Sequence, residues 1–585
     1  MAFLVGFAAA VLLVGVPAES ALVGADPTKS YWEVLKATGA EILDSHVRME
    51  TQLELPDDFA AWKRTGMALD HEWHEMTFAI KQNNIEHLKR RIEQTSDLDS
   101  PMYGQHLSHE QVGNLVRNDE GTSAVVEWLE SNGVVASATM FGEYIYAGST
   151  VGVWRELLAA KFHRFEPNSD PDKRGFVLRA REYSLPARIA KHVDSVLKAT
   201  HLPSPRPAKL RGHREPVVFS SFSSSSPAGE EEEEDRKRRV EESERIRRHL
   251  LAGAPTPSSV PTLEPSASPS ASPVPTMKPT TCSVPTTSTT CSICRDGIPH
   301  SIPSGFVCPA VLNSVYDITD NSAPNGSIGV YESLGQYANT DDLAEFQTLF
   351  GLPSQTAGNV VGGYYGTARN VGEEANLDIQ YLMGVAHGKS KNSWYWYDDT
   401  DCDFGDWLAN VADSASYPLI FSISYGGYED SNSGKHLFNT EAIKLSAKGV
   451  TIVVSTGDDG TPGHYGRDYA GKSEAEQSKY CKKHGYSPQW PATSPYVVSV
   501  GATQGPESGT EEIACSSRTG GGITSGGGFS EAFSVPDYQK KYVNAYFETP
   551  NGAASKSGYK RKGRGYPDVA MLGHNYLIVF NGTAL

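Results

Sequence analysis

Apolar positions recur along this chain with two different periods, and the places where each begins and stops divide it into parts. In "NIEHLKRRIEQ", Ile85, Leu88 and Ile92 fall at i, i+3 and i+7, one face of a helix, and "TSAVVEWLESNGV" repeats that period until Gly133 ends it. "VVASATMFGEYIYAGS" then reads as two paired strands around a glycine turn, so residues 21–202 are expected to hold a small α+β unit. From 203 to 300 the periodicity is lost. From 301 to 585 short apolar runs alternate with helical ones: "SIGVYES", "NVVGGYYG", "PLIFSISYGG", "TEAIKLSAKG" and "VTIVVSTGDDG". The run at residues 450–455 is apolar on both faces, as a parallel sheet between helix layers requires. The expected fold class of this last part is α/β, a doubly wound parallel sheet with its chemistry at the C-terminal strand ends.

Composition changes this picture mainly between the two patterned parts. "FSSFSSSSPAGEEEEEDRKRRVEESERIRRHLL" and the following Pro/Ser/Thr tract cannot bury enough apolar surface to offset their ordering entropy, so 203–300 reads as a linker. Within it, Arg236 to Arg239 reads equally as a dibasic processing site or as part of a solvated mixed-charge helix. A net charge of -18 excludes the basic footprint of a nucleic-acid binder. The apolar run from Phe3 to Val16, closing on Ala18-Glu19-Ser20 before Ala21, has the pattern of a signal peptide over 1–20. It is too short to span a bilayer comfortably, and no later run is longer. A secreted protein, or one in the lumen of an acidic compartment, is expected, with no membrane span once the signal is removed. Seven cysteines, all after residue 280, fit that setting. Cys291 and Cys294 form a CxxC with no second pair at zinc-site spacing, so disulfides are expected rather than a metal, with the pairing open. Asn325 and Asn581 stand in N-x-[ST] sequons.

Three acidic residues carry the candidate chemistry. Glu374 and Asp378 in "GEEANLDIQY" are four apart and share a helix face, where two carboxyls in contact cannot both ionise cheaply and come to share a proton. Such a pair is a general base poised at acidic pH. Asp458, in "VVSTGDDG", follows a buried strand among glycines and, if protonated, could donate a hydrogen bond to a developing oxyanion. "GRDYAGKS" matches the P-loop template but lacks its context: "GDDGTPGHY" separates it from the preceding strand, and no apolar helix face follows. No GxSxG is present, and His387, His436 and His464 have no triad context, so a conventional serine-hydrolase set is not expected.

Taken in order, "GEEANLDIQY", "FSISYGG", "STGDDG", "WPATSPYVVSVGAT", "SGGGFSEAF" and "GYPDVA" resemble the sedolisin family of serine-carboxyl peptidases, and "LDSPMYGQHLSHEQV" with "VVEWLESNGV" resemble that family's activation prodomain. The resemblance implies a subtilisin-like catalytic domain over 301–585, preceded by a ferredoxin-like prodomain that blocks the active site until it is cleaved. It implies Glu374 as general base for a nucleophilic serine, Asp378 as the acid that shares its proton, and Asp458 as the oxyanion-hole acid. The implied activity is hydrolysis of protein or peptide substrates at acid pH, as an endopeptidase or tripeptidyl peptidase, with the chain's own prodomain as a partner. The family's nucleophile lies in a Gly-Thr-Ser-Ala-Ser motif some way past "YPDVA". Here Gly582-Thr583 comes early and is followed by Ala584, so the serine, and the Ca²⁺ site the family implies, are expected beyond Leu585. The 585-residue chain is therefore expected to be inactive by itself, an incomplete precursor or, alternatively, an inactive homologue that acts as a binding or inhibitory module.

Overall fold

The computed structural model describes residues 46–51, 62–167, 176–200, 284–321 apart from 296–297, and most of 326–584, outside which fall 322–325, 334–335, 363–364, 367–370, 387–392, 399–403, 430–433, nearly all of 464–485, and 550–558.

The N-terminal unit is α+β, as its periods predict. Strand β1 (Trp73–Ile80) leads into helices α1 (Ile85–Ser96), α2 (His109–Val116) and α3 (Asp119–Ser131), and then strands β2 (Val135–Ala138), β3 (Tyr144–Thr150) and β4 (Val193–Leu197). The sheet order is β2-β3-β1-β4, antiparallel throughout. Helix α2 starts at a capping box, with Ser108 accepting from the Gln111 N–H and the Gln111 side chain returning to the Ser108 N–H. Phe78, Trp128, Ile145 and Trp154 fill the core between sheet and helices. The helical stripe read from the sequence does something else. Leu88 packs with Val112 and Val116 against Ile443 and Ala447 of the second unit, so α1 presents its apolar face across an interface.

The second unit is a parallel sheet wound in both directions. Strand β5 (Ile328–Ser333) is followed by α4 (Thr340–Leu349), β6 (Asn359–Val361), α5 (Glu373–Val385), β7 (Ser393–Asp398), α6 (Gly405–Asp413) and β8 (Ile420–Ile423). After these come β9 (Gly427–Tyr428), α7 (Lys435–Ala447), β10 (Thr451–Ser455), β11 (Gln489–Trp490) and β12 (Val498–Gln504). The chain continues through β13 (Ile513–Ala514), β14 (Gly528–Ser534), α8 (Asp537–Glu548), β15 (Gly563–Tyr566), β16 (Val569–Leu572) and β17 (Val579–Phe580). The main sheet runs β6-β7-β5-β8-β10-β12, all parallel, with β16 parallel and β13 antiparallel on β12. From β5 the chain winds outward to β6 and β7, then returns to the other side through β8, so the switch of direction lies between β5 and β8. That crevice is where an open α/β sheet places a ligand site.

Register shows how the two faces are covered. Tyr331, Phe421, Ile423, Ile452 and Val454 share one face and pack on α6 and α7, through Trp407, Phe438 and Leu445. Val330 lies on the other face, beneath Ala375, Ile379 and Met383 of α5. Further along that face Ile420 remains 41% exposed, Val569 49% and Met571 43%. Among the described residues, α5 covers only the β5–β7 side of it.

One boundary differs from expectation. Residues 284–300 fall within the stretch that composition reads as linker, yet part of them is packed. Strands Ser292–Arg295 and Ile298–Ser301 form a hairpin, Cys291 is joined to Cys308, and Cys291 and Ile293 lie in the core with Val307 and Val311. The covalent tie and two buried side chains outweigh local composition. Cys294 is also disulfide-bonded, and Cys515 is a buried free thiol.

Where the units meet, the Lys444 ammonium of α7 lies 3.1 Å from Glu143, just before β3, and 2.9 Å from Glu441. All three residues are buried. Gln82 donates to Glu441 at 2.8 Å, the Leu107 N–H to the Ala447 carbonyl at 2.9 Å, and the Met140 N–H to Asp413 at 2.8 Å.

Candidate active site

Helix α5 starts where it does because Gly372 is its N-cap: a Cβ there would lie 2.0 Å from Oε1 of Gln336, which instead accepts the Glu374 N–H at 3.3 Å. This sets Glu374 in the first turn and Asp378 one turn on, along one side of the helix. The side chains enclose one another. Burial pushes the Glu374 carboxyl well above the usual carboxylate range, and the charges of Asp378 and Asp458 add to the push, against the neighbouring Ser424 hydroxyl, which draws it down. Burial likewise raises Asp378 from 3.8 to about 7, again opposed by Ser424. Its Oδ2 is buried without a hydrogen-bond partner.

A fourth carboxyl closes the group. Glu332, the fifth residue of β5, is fully buried, and its carboxyl is pushed far up first by burial and then by the charge of Asp378. The Tyr425 hydroxyl donates to its Oε2 at 2.7 Å, while Oε1 is left without a partner. Asp458 follows β10 between Gly457 and Gly460, both at positive φ. Its turn is held beside "SGGGFS": the Thr524 N–H donates to the Asp458 carbonyl and the Gly526 N–H to the Gly457 carbonyl, each at 2.8 Å. A Cβ on Gly526 would sit 1.8 Å from the Thr456 carbonyl oxygen, so only glycine permits this approach.

The carboxyls of Glu332, Glu374 and Asp378, with that of Asp458 acting on Glu374, thus converge on the crevice between β5 and β8. Sharing one enclosed volume, they cannot all ionise, and below neutrality the group holds protons that isolated carboxyls would release. The remaining anion can take a proton from a hydroxyl, and a neutral acid can donate a hydrogen bond to developing negative charge. Glu332, Ser424 and Tyr425 escaped the sequence reading. The available sign was a glutamate in "SIGVYES", a run whose other residues suit a fully buried strand. His436 faces the N-terminal unit, where its charge acts on Asp194. His387, His464 and residues 466–472 of the P-loop-like stretch lie outside the described residues. Among the described residues no three His, Cys, Asp or Glu side chains are grouped to hold a metal ion. No helix of the described residues is long and apolar enough to cross a membrane.

His74 of the N-terminal unit and the buried carboxyls of the second carry opposite proton linkage, while Asp194 on β4 is raised by burial like the latter. Glu332, Glu374 and Asp378 have folded-state values above their unfolded ones, so the stability they contribute is present at low pH and is lost as pH rises from about 4 through about 7. His74 of β1 is the reverse. Burial, with Arg179 nearby, lowers it from 6.5 to about 3, so its contribution is present above 6.5 and is lost as pH falls toward 3. Hydrogen exchange measured at about pH 4 and about pH 7 is expected to show β1, which carries His74, losing protection in acid while β5 and α5 gain it. Movement of β1 and α5 in the same direction would contradict this.

Residues 60–202 match the family described as Pro-kumamolisin, activation domain. Tripeptidyl-peptidase 1 of Canis lupus familiaris is 27% identical over 541 residues, covering 90% of this chain and 77% of that protein. The Homo sapiens protein of that name is 27% identical over 537 residues, covering 89% and 76%, and the Mus musculus one 28% over 537. A solved structure, Pseudomonas sedolisin (serine-carboxyl proteinase) complexed with two molecules of pseudo-iodotyrostatin, is 21% identical with a TM-score of 0.34, covering 48% of this chain and 76% of that one.

Proposed function

We infer, for a chain of the sedolisin type that is similar to tripeptidyl-peptidase 1 and carries a pro-kumamolisin activation domain, that it is the precursor of a serine-carboxyl peptidase cleaving peptide bonds in an acidic, secretory or lysosome-like setting. The observation that carries the reading is the buried carboxyl group at the β5–β8 crevice, with Glu374 and Asp378 held on one helix face and Asp458 close enough to act on Glu374. In this reading Glu374 takes the proton of the attacking serine hydroxyl, Asp378 shares that proton and holds Glu374 in place, and Asp458 in its neutral form donates to the oxyanion. Acid is required because the oxyanion donor exists only while Asp458 keeps its proton. The N-terminal unit serves as prodomain, removed by cleavage within the linker. The nucleophilic serine is taken to lie beyond residue 585; a product lacking it would bind peptide in the same cleft without cutting it.

The test is to incubate the secreted product with an unstructured peptide at about pH 4 and about pH 7 and identify fragments by mass spectrometry. Cleavage confined to acid is expected, successive tripeptides marking an exopeptidase and internal fragments an endopeptidase. Binding without cleavage at either pH would favour the inactive homologue.

A further inference from the structure

Glu429 is 1% exposed, follows β9 directly, and takes no part in the chemistry described above. Its N–H donates to the Pro488 carbonyl at 2.9 Å, which fixes the end of β9. Its carboxylate reaches another part of the chain. Oε1 accepts the Ser530 hydroxyl at 2.5 Å, and Oε2 accepts the N–H groups of Glu531 at 2.6 Å and Ala532 at 3.0 Å. Ser530, fully buried, in turn accepts the Phe533 N–H at 2.7 Å. One side chain thus ties the end of "FSISYGGYE" to the end of "SGGGFSEAF".

Those two segments border the carboxyl group. Ser424 opens the first and lies beside Glu374 and Asp378, while Gly526 in the second is bonded to the turn that carries Asp458. Both offer glycine backbone, Gly426 and Gly427 on one side and Gly527 and Gly528 on the other, held in place by pairing of Gly427 with Trp490 and of Gly528 with Tyr566, and glycine carries no side chain of its own toward an extended peptide. We propose that Glu429 is a positioning residue for the substrate, its carboxylate clamping the two glycine segments at a fixed separation so that a peptide backbone can lie between them. The proposal rests on the peptidase reading.

The bonding pattern separates the role of shape from that of charge. A glutamine at 429 keeps the two N–H links through its oxygen and can donate its NH₂ to the Ser530 oxygen, leaving only the Ser530 O–H without its acceptor, whereas alanine leaves all three donors buried and unpaired. In the processed enzyme, Glu429→Ala is expected to raise KM for a peptide about tenfold or more while kcat stays within about threefold and the pH midpoint does not move. Glu429→Gln is expected to stay within about threefold of wild type in both constants. In the 585-residue chain, hydrogen exchange should show amides 526–533 losing protection in the alanine variant alone, with α5 unchanged. A fall in kcat at constant KM, a shifted pH midpoint, or wild-type exchange at 526–533 would overturn the clamp, and loss of α5 protection would reduce it to a general structural role. If the wild-type enzyme cleaves no peptide at any pH, the peptidase reading falls and the substrate role with it, while the exchange data still decide whether the two segments are clamped.

Discussion

Glu374→Gln in the processed enzyme is expected to lower kcat/KM for peptide hydrolysis at about pH 4 by about a thousandfold or more, because on the proposed reading the hydroxyl nucleophile loses its general base while the shape of the pocket is kept. Asp378→Asn should act differently. The Asp378 charge is, after burial, the largest influence holding the Glu374 carboxyl up, so removing it lowers that value and moves the acid limb of the activity profile to lower pH. The loss of rate should be smaller, about ten- to a hundredfold, since the base survives in a less favourable proton balance. Steady-state kinetics from about pH 3 to about pH 7 would read both effects. Activity that survives Glu374→Gln would remove this residue from the mechanism, and an unmoved acid limb in Asp378→Asn would show that the two carboxyls do not share a proton.

The second large effect concerns stability. Lys444 stands between Glu143 of the N-terminal unit and Glu441 of its own helix at 3.1 and 2.9 Å, with all three residues buried. The nearby carboxylates outweigh burial and hold the ammonium above its ordinary value, so it is charged throughout the range of interest. Lys444→Met would leave two carboxylates buried without their cation, at a cost of about 3–5 kcal/mol near neutrality, because breaking a buried pair strands a charge. Adding Glu143→Gln should restore part of the loss, because one of the stranded charges is then gone. Thermal melting of the four proteins near neutrality gives the coupling energy directly. A single variant as stable as wild type at neutral pH would mean that water reaches this interface and screens it.

The sequence determined the local structure and the principal acids. Periodicity located α1, α3 and the β2–β3 pair, and apolar runs located β5, β8 and β10, because helices and strands are set largely by which neighbouring side chains share a face. Spacing alone put Glu374 and Asp378 together, and the glycine-rich turn after a buried strand picked out Asp458. What it could not supply was convergence. Glu332 lies 42 residues before Glu374 and reaches Asp378 only because β5 is the strand at which the winding reverses. The packing at the end of the linker stretch was not legible for a related reason: residues 284–300 are polar in composition, but the Cys291–Cys308 bond and a core formed by distant segments hold Cys291 and Ile293. The stripe on α1 was legible as a helix face, but its partner on α7 was not, nor were the Lys444 ion cluster and the three bonds of Glu429. Burial, a shifted proton affinity and a long-range hydrogen bond are properties of neighbours, and only the folded sheet decides which residues those are.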